Sequence, residues 1–115
     1  MSDSGDGYDT YGYVHYVLRN YQEAADAFQM AVDKGNLANR ADTLLFLSRA
    51  LIEVDDFEGS TAAARQSADA GGESERRSAT DYINFIESTE TRFNIIAERR
   101  QDAIDFYEPY PSLLD

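Results

Sequence analysis

His15 is the only imidazole in the chain, and cysteine is absent. Proton transfer near neutral pH therefore has one candidate side chain, and thiolate chemistry has none. His15 shares a helical stripe with Tyr8, Tyr11, Val14 and Leu18, so it reads as a buried, hydrogen-bonded structural histidine rather than a general base. A histidine-based metal site would need a second imidazole. Asp55-Asp56 offers carboxylates without the glycine and alternating oxygen ligands of a calcium loop, and it reads as a solvated turn. Neither Gly5-Asp6-Gly7 nor Gly71-Gly72 leads into the spacing of a phosphate loop. With 22 acidic residues in the sequence, carboxylate pairs arise without any acid and base roles being implied. The expectation is a protein that is not an enzyme, with no metal and no cofactor.

A formal net charge of −12 argues against nucleic acid and anionic membrane surfaces as partners, because neutralising phosphates takes clustered Lys and Arg. A basic partner would be attracted. Lys34 stands against nine arginines, a balance similar to that of proteins from organisms with high internal salt, and equally that of an acidic protein from a high-GC genome. No run approaches the length of a membrane span, and the start Met1-Ser2-Asp3-Ser4 has neither the basic nor the apolar region of a signal peptide. The expectation is a soluble, cytoplasmic chain. At 115 residues it has room for one domain.

Those few groups must be positioned by helices. From Tyr21 to Gly35 small and large apolar residues share one helical face, and Gly35 follows Lys34 as a stop signal. The arrangement returns about 36 residues later: Tyr21, Ala24, Phe28, Ala31 and Gly35 become Phe57, Ser60, Ala64, Ser67 and Gly71. A fainter copy follows with Phe93, Ile96, Arg100, Ala103 and Tyr107. A period of this size signals a repeat architecture. The first helix should begin at Asp6 or Asp9, and Gly12 in its middle calls for a close helix contact. Asn39 starts the next helix, Arg40 to Val54, whose apolar residues lie on more than one side and make it central. The helix from Phe57 to Ala70, rich in Ala and Ser, should pack tightly between larger neighbours. Beyond Gly71-Gly72 there is no Gly or Pro before Pro109. Ala79, Ile83, Ile86, Phe93, Ile96, Ala97, Ile104 and Tyr107 form a near-heptad stripe there, compatible with one long helix. The weak helix formers Ser88-Thr89-Glu90-Thr91 favour two helices broken near Thr91. Residues 1–7 read as a flexible lead, 8–108 as the helical domain and 109–115 as a tail.

The pattern Tyr8, Tyr11-Gly12, His15 and the turn Arg19-Asn20-Tyr21, echoed by Leu44, Leu47-Ser48, Leu51 and Val54-Asp55-Asp56-Phe57, resembles the tetratricopeptide repeat. The resemblance runs from about Tyr8 to Gly72 and fades in a third unit of Thr80, Ile83-Asn84 and Glu87. It implies an all-α fold of stacked antiparallel helical hairpins in a right-handed superhelix, with about six helices and a degenerate third repeat. In that family the first helix of each unit lines a concave face. Carried over, this face gives Tyr13, Tyr16 and Val17, then Leu45, Arg49 and Ile52, then Phe85, rimmed by acids such as Asp9 and Asp81. The implied function is non-catalytic binding of a protein or peptide with basic and apolar side chains. The alternative is a structural module that self-associates or stacks within a longer repeat protein.

Overall fold

The computed structural model describes residues Ser4 to Tyr107, all helical apart from short connections. Five helices follow one another: α1 (Asp6–Val17), α2 (Tyr21–Lys34), α3 (Arg40–Glu53), α4 (Phe57–Ala70) and α5 (Glu73–Tyr107). Asn39 caps α3 by accepting from the Asp42 amide at 3.1 Å, and Asp56 caps α4 by accepting from Gly59 at 2.9 Å. Both satisfy an amide that the first helical turn leaves without an internal partner. Gly5 and Asp6 are held against the connection that follows α2. The Gly5 amide donates to the Gly35 carbonyl at 2.8 Å, and Asp6 Oδ1 accepts from the Ala38 amide at 3.1 Å. Residues 1–3 and 108–115, including the expected tail, lie outside the described residues.

The sequence period is written into the backbone. In the turn after α1, Arg19 donates to the Tyr16 carbonyl and Asn20 to that of His15. In the turn after α3, Asp55 donates to Ile52 and Asp56 to Leu51, the same two bonds one period later. Arg19 and Asp55 both take the left-handed conformation, with φ of 64° and 62°. The helix ends after α2 and α4 differ more. Gly35 has φ 78°, whereas Gly71 is extended, with Ala41 and Glu75 so close that a Cβ would strike them. One glycine serves a left-handed stop and the other a close approach.

Consecutive helices pack against one another, and α3 touches all four others. Phe28, fully buried, anchors one core cluster with Ala24, Leu44, Leu47 and Ala63. Ile52, Phe57, Ala64 and Ile86 form a second cluster between α3, α4 and α5. Small residues set the helix separations. Gly12 faces the Phe28 ring, which lies 2.8 Å from where a Cβ would stand. Between α3 and α4, Ser48 and Ser60 each donate their hydroxyl to the other's carbonyl at 2.7 Å, and Ser67 donates to the Ala41 carbonyl at 2.6 Å. Every buried side-chain nitrogen and oxygen among the described residues has a partner.

The expected break near Thr91 does not occur, so the described residues hold five helices rather than six. α5 runs for 35 residues, about 52 Å at 1.5 Å per residue. Thr89 and Thr91 turn their hydroxyls onto the carbonyls of Phe85 and Glu87, both at 2.9 Å, and so satisfy themselves inside the helix instead of capping a new one. A sixth helix would also have no seat. Ala41 and Ser48, which receive α4, correspond one period later to Arg77 and Asn84, both exposed. Ala63 and Ala64 correspond to Arg99 and Arg100. Packing such a pair as α3 and α4 pack would bury three guanidinium groups, a cost that a straight helix avoids. α5 therefore overruns α4. Phe93 still meets Phe57, with ring centroids 5.3 Å apart, but every residue from Glu90 to Phe106 is exposed. The extents of 61 × 31 × 19 Å reflect this projecting arm.

The two glycines of α1 should respond in opposite directions. Gly12→Ala should lower stability by about 1–2 kcal/mol, since crowding a well-packed ring outweighs a helix-propensity gain of about 1 kcal/mol. Gly7, where an added methyl group would meet nothing within 4 Å, should gain up to about 1 kcal/mol as Gly7→Ala. Urea unfolding of the two variants measures both signs.

Candidate binding face

Three helices each place a pair of side chains three residues apart on the same side of the molecule: Tyr13 and Tyr16 from α1, Phe46 and Arg49 from α3, Tyr82 and Phe85 from α5. That spacing puts both members of each pair on one helical face. The pairs join into a continuous band. Tyr13 and Tyr16 meet Phe46 edge-on, each with centroids 5.6 Å apart. The Arg49 guanidinium lies 5.4 Å from the Phe46 ring centre and 5.7 Å from that of Tyr82, bridging α3 to α5. Tyr82 stacks on Phe85 at 5.5 Å. From beneath, Phe28 stacks on Phe46 at 5.8 Å and ties the band to the core.

Of the residues expected on this face, Tyr13 and Phe85 are about half exposed, at 51% and 53%. Tyr16 and Arg49 are half-buried within the band. Leu45 is half-buried beside it and lines a cavity of about 390 Å³ with Asp42, Arg49, Glu75 and Ser78. Val17 is exposed at the end of α1 and has no place in the band. Ile52 must be corrected. It is 7% exposed and belongs to the second core cluster, because the helix turns it toward Phe57 and Ile86. Phe46 and Tyr82 were missed, although a signal existed. They stand three residues before Arg49 and Phe85, and the two pairs are one period apart. His15 is half-buried rather than buried, edge-on to Tyr11 at 4.4 Å, with its Nδ1 3.2 Å from the side-chain Nδ2 of Asn20. It takes no part in the band.

Carboxylates surround the aromatic groups. A second cavity, of about 270 Å³, is lined by Asp9, Tyr13, Asp42 and Phe46. Asp9 Oδ1 accepts from the Thr43 hydroxyl at 3.0 Å. Burial pushes the Asp9 carboxyl above its usual range, the Thr43 bond pulls it back, and the charges of Asp6 and Asp42 push it up further. Burial also raises the Tyr82 phenol to about 12, opposed by Arg49 and reinforced by Tyr16 and Glu53. Tyr16 shifts upward for the same first reason. The one ion pair among the described residues is Arg77 with Glu73, at 3.5 Å. Arg49 thus directs its guanidinium at ring faces and pairs with no carboxylate, while Asp42 and Glu75 line the first cavity beside it and Asp9 and Asp42 line the second. Among the described residues no cluster of His, Asp and Glu is arranged to hold a metal ion, and no helix is long and apolar enough to cross a membrane.

The raised Asp9 pKa fixes the sign of a pH effect. Its contribution to folding is most favourable below the unfolded value near 3.8 and is lost as pH rises through the folded value. Asp9→Asn keeps an acceptor for Thr43 and removes the charge. It should raise Tm at pH 7, and melting curves across a pH series should show the gain shrinking as the pH approaches 3.8. Compared with family models, with curated proteins and with solved structures, the chain finds no match.

Proposed function

We propose that this chain is a non-catalytic binding module whose aromatic face takes a peptide segment bearing basic and apolar side chains. The observation that carries the reading is the band Tyr13–Phe46–Arg49–Tyr82–Phe85, flanked by two cavities that carboxylates help to line. Half-exposed rings held by packed ones suit recognition, because their orientation is already fixed and little side-chain entropy is lost on binding. A Lys or Arg of the partner would meet tyrosine faces and carboxylates together, which favours a cation twice over. Aliphatic or aromatic partner residues would cover Phe85 and Tyr13.

In this reading α1–α2 and α3–α4 are two hairpin units of the tetratricopeptide type and α5 opens a third. The repeated turn bonds support it, as does the position of the band on alternate helices. Binding is placed on the first helix of each unit.

Selection from a random 12-residue peptide library on the immobilised chain is the direct test. Enriched peptides should combine Arg or Lys with aromatic or aliphatic residues, and Tyr13→Ala or Phe85→Ala should each weaken them about tenfold or more without moving Tm appreciably. Enrichment of acidic peptides, or affinity indifferent to both substitutions, would refute the proposal.

A further inference from the structure

Beyond Phe93 the second half of α5 stays helical while every side chain through Phe106 is exposed. Its residues are poor material for a free helix. Thr91, Asn94, Ile95, Ile96, Asp102 and Ile104 all rank low in helix propensity, and stretches of this length are marginal in water even when rich in alanine. Yet the arm is patterned. Glu90, Phe93, Ala97, Arg100, Ile104 and Tyr107 alternate at three and four residues, extending the stripe by which Ile83 and Ile86 pack. Ile96 lies beside it, 66% exposed, and Ile104 is 39% exposed. Such a stripe has the spacing of a two-helix seam, and the described residues provide one strand of it.

We infer that the occupant of this seam is the same arm of a second copy, running antiparallel. Three observations select it. First, an antiparallel alignment centred between Glu98 and Arg99 sets the seam positions from Phe93 to Ile104 against one another: Phe93 against Ile104, and Ala97 against Arg100. The match is reciprocal, as a two-fold interface requires. Second, Arg100 excludes the parallel alternative. A parallel pair would put the two Arg100 guanidiniums against each other, whereas the antiparallel pair lays each arginine stem over the small Ala97. Third, the arm itself carries no net charge, so two arms of this acidic chain can meet without local repulsion. Between Thr91 and Tyr107, Arg92, Arg99 and Arg100 balance Glu98, Asp102 and Asp105, so the whole net charge of −12 resides elsewhere. The second arm would take up the line that α4 leaves free beyond Phe57. Two such arms would bury roughly 1,000 Å² in total, the lower end for a specific interface, so the dimer is concentration-dependent.

Sedimentation of the full chain from about 1 µM to about 1 mM, in 1 M NaCl to shorten the screening length to about 3 Å, tests the pairing. The mass should rise toward twice the 12.9 kDa of one chain. Ile96→Ser combined with Ile104→Ser should weaken association at least tenfold, while Tyr13→Ala, on the other face, should leave it unchanged. Because the chain has no cysteine, orientation can be read directly. Mixing an Ala97→Cys chain with an Arg100→Cys chain under mild oxidation should yield mainly the mixed disulfide. A single-chain mass at every concentration, dimers that survive the double substitution, or dominant crosslinking of position 97 to itself would each overturn the proposal.

Discussion

The closeness of helix backbones at the seams, made possible by Ser48, Ser60 and Gly12, is the constraint on which the remaining architecture rests. A serine pair that exchanges hydroxyl-to-carbonyl bonds does two things at once. It admits no bulk between α3 and α4, and it satisfies two buried hydroxyls that would otherwise each cost about 1–3 kcal/mol. With no room in the seams, volume has to be found elsewhere. Phe28 and Leu44 fill one core cluster, Ile52 and Phe57 the next, and Tyr13, Tyr16, Phe46, Tyr82 and Phe85 gather on one side of α1, α3 and α5. The candidate face is thus a by-product of tight seams as much as a feature in its own right.

Arg49 gives that face its unity. α3 and α5 meet through Ile52 and Ile86 in the core and, on the outer side, through the guanidinium between Phe46 and Tyr82. Using a ring-bound arginine in place of an ion pair has an electrostatic consequence. A salt bridge would have occupied the oxygens of one nearby carboxylate, while cation–π contact leaves those oxygens without an arginine partner. In a chain this acidic the face is consequently both aromatic and negative, which is the combination on which the binding proposal relies.

The same limits on what can be buried explain α5. Where α3 presents Ala41 and Ser48 to its follower, α5 presents Arg77 and Asn84, and the residues that would form the follower include Arg99 and Arg100. Desolvating those groups costs more than an unpacked helix does. α5 therefore has no follower among the described residues, and the apolar residues of its second half lie on an exposed arm.

Most of the helix map could be read from the chain itself. Lys34-Gly35 places the end of α2, Asn39 the start of α3 and Gly71-Gly72 the end of α4, because caps and stops act within a few residues of themselves. Gly12 signalled a close contact, and the small residues of α4 signalled tight packing, since both depend on local size. What could not be read was anything that depended on which groups meet across helices. The sequence marked Ser88 to Thr91 as weak helix, but only the absence of a seat for a sixth helix decided that α5 should run on. It put Ile52 beside Arg49 on one projected face, and only the approach of Ile86 and Phe57 decided that Ile52 is core. The resemblance put Tyr13, Tyr16, Arg49 and Phe85 on the projected face, yet Phe46 and Tyr82 joined the aromatic band only when the chain was folded. Composition alone determined the negative field and the lack of thiol or paired-imidazole chemistry. The tertiary structure decided the band, because ring contacts and cation–π geometry depend on distances between helices, and no spacing along one helix specifies those.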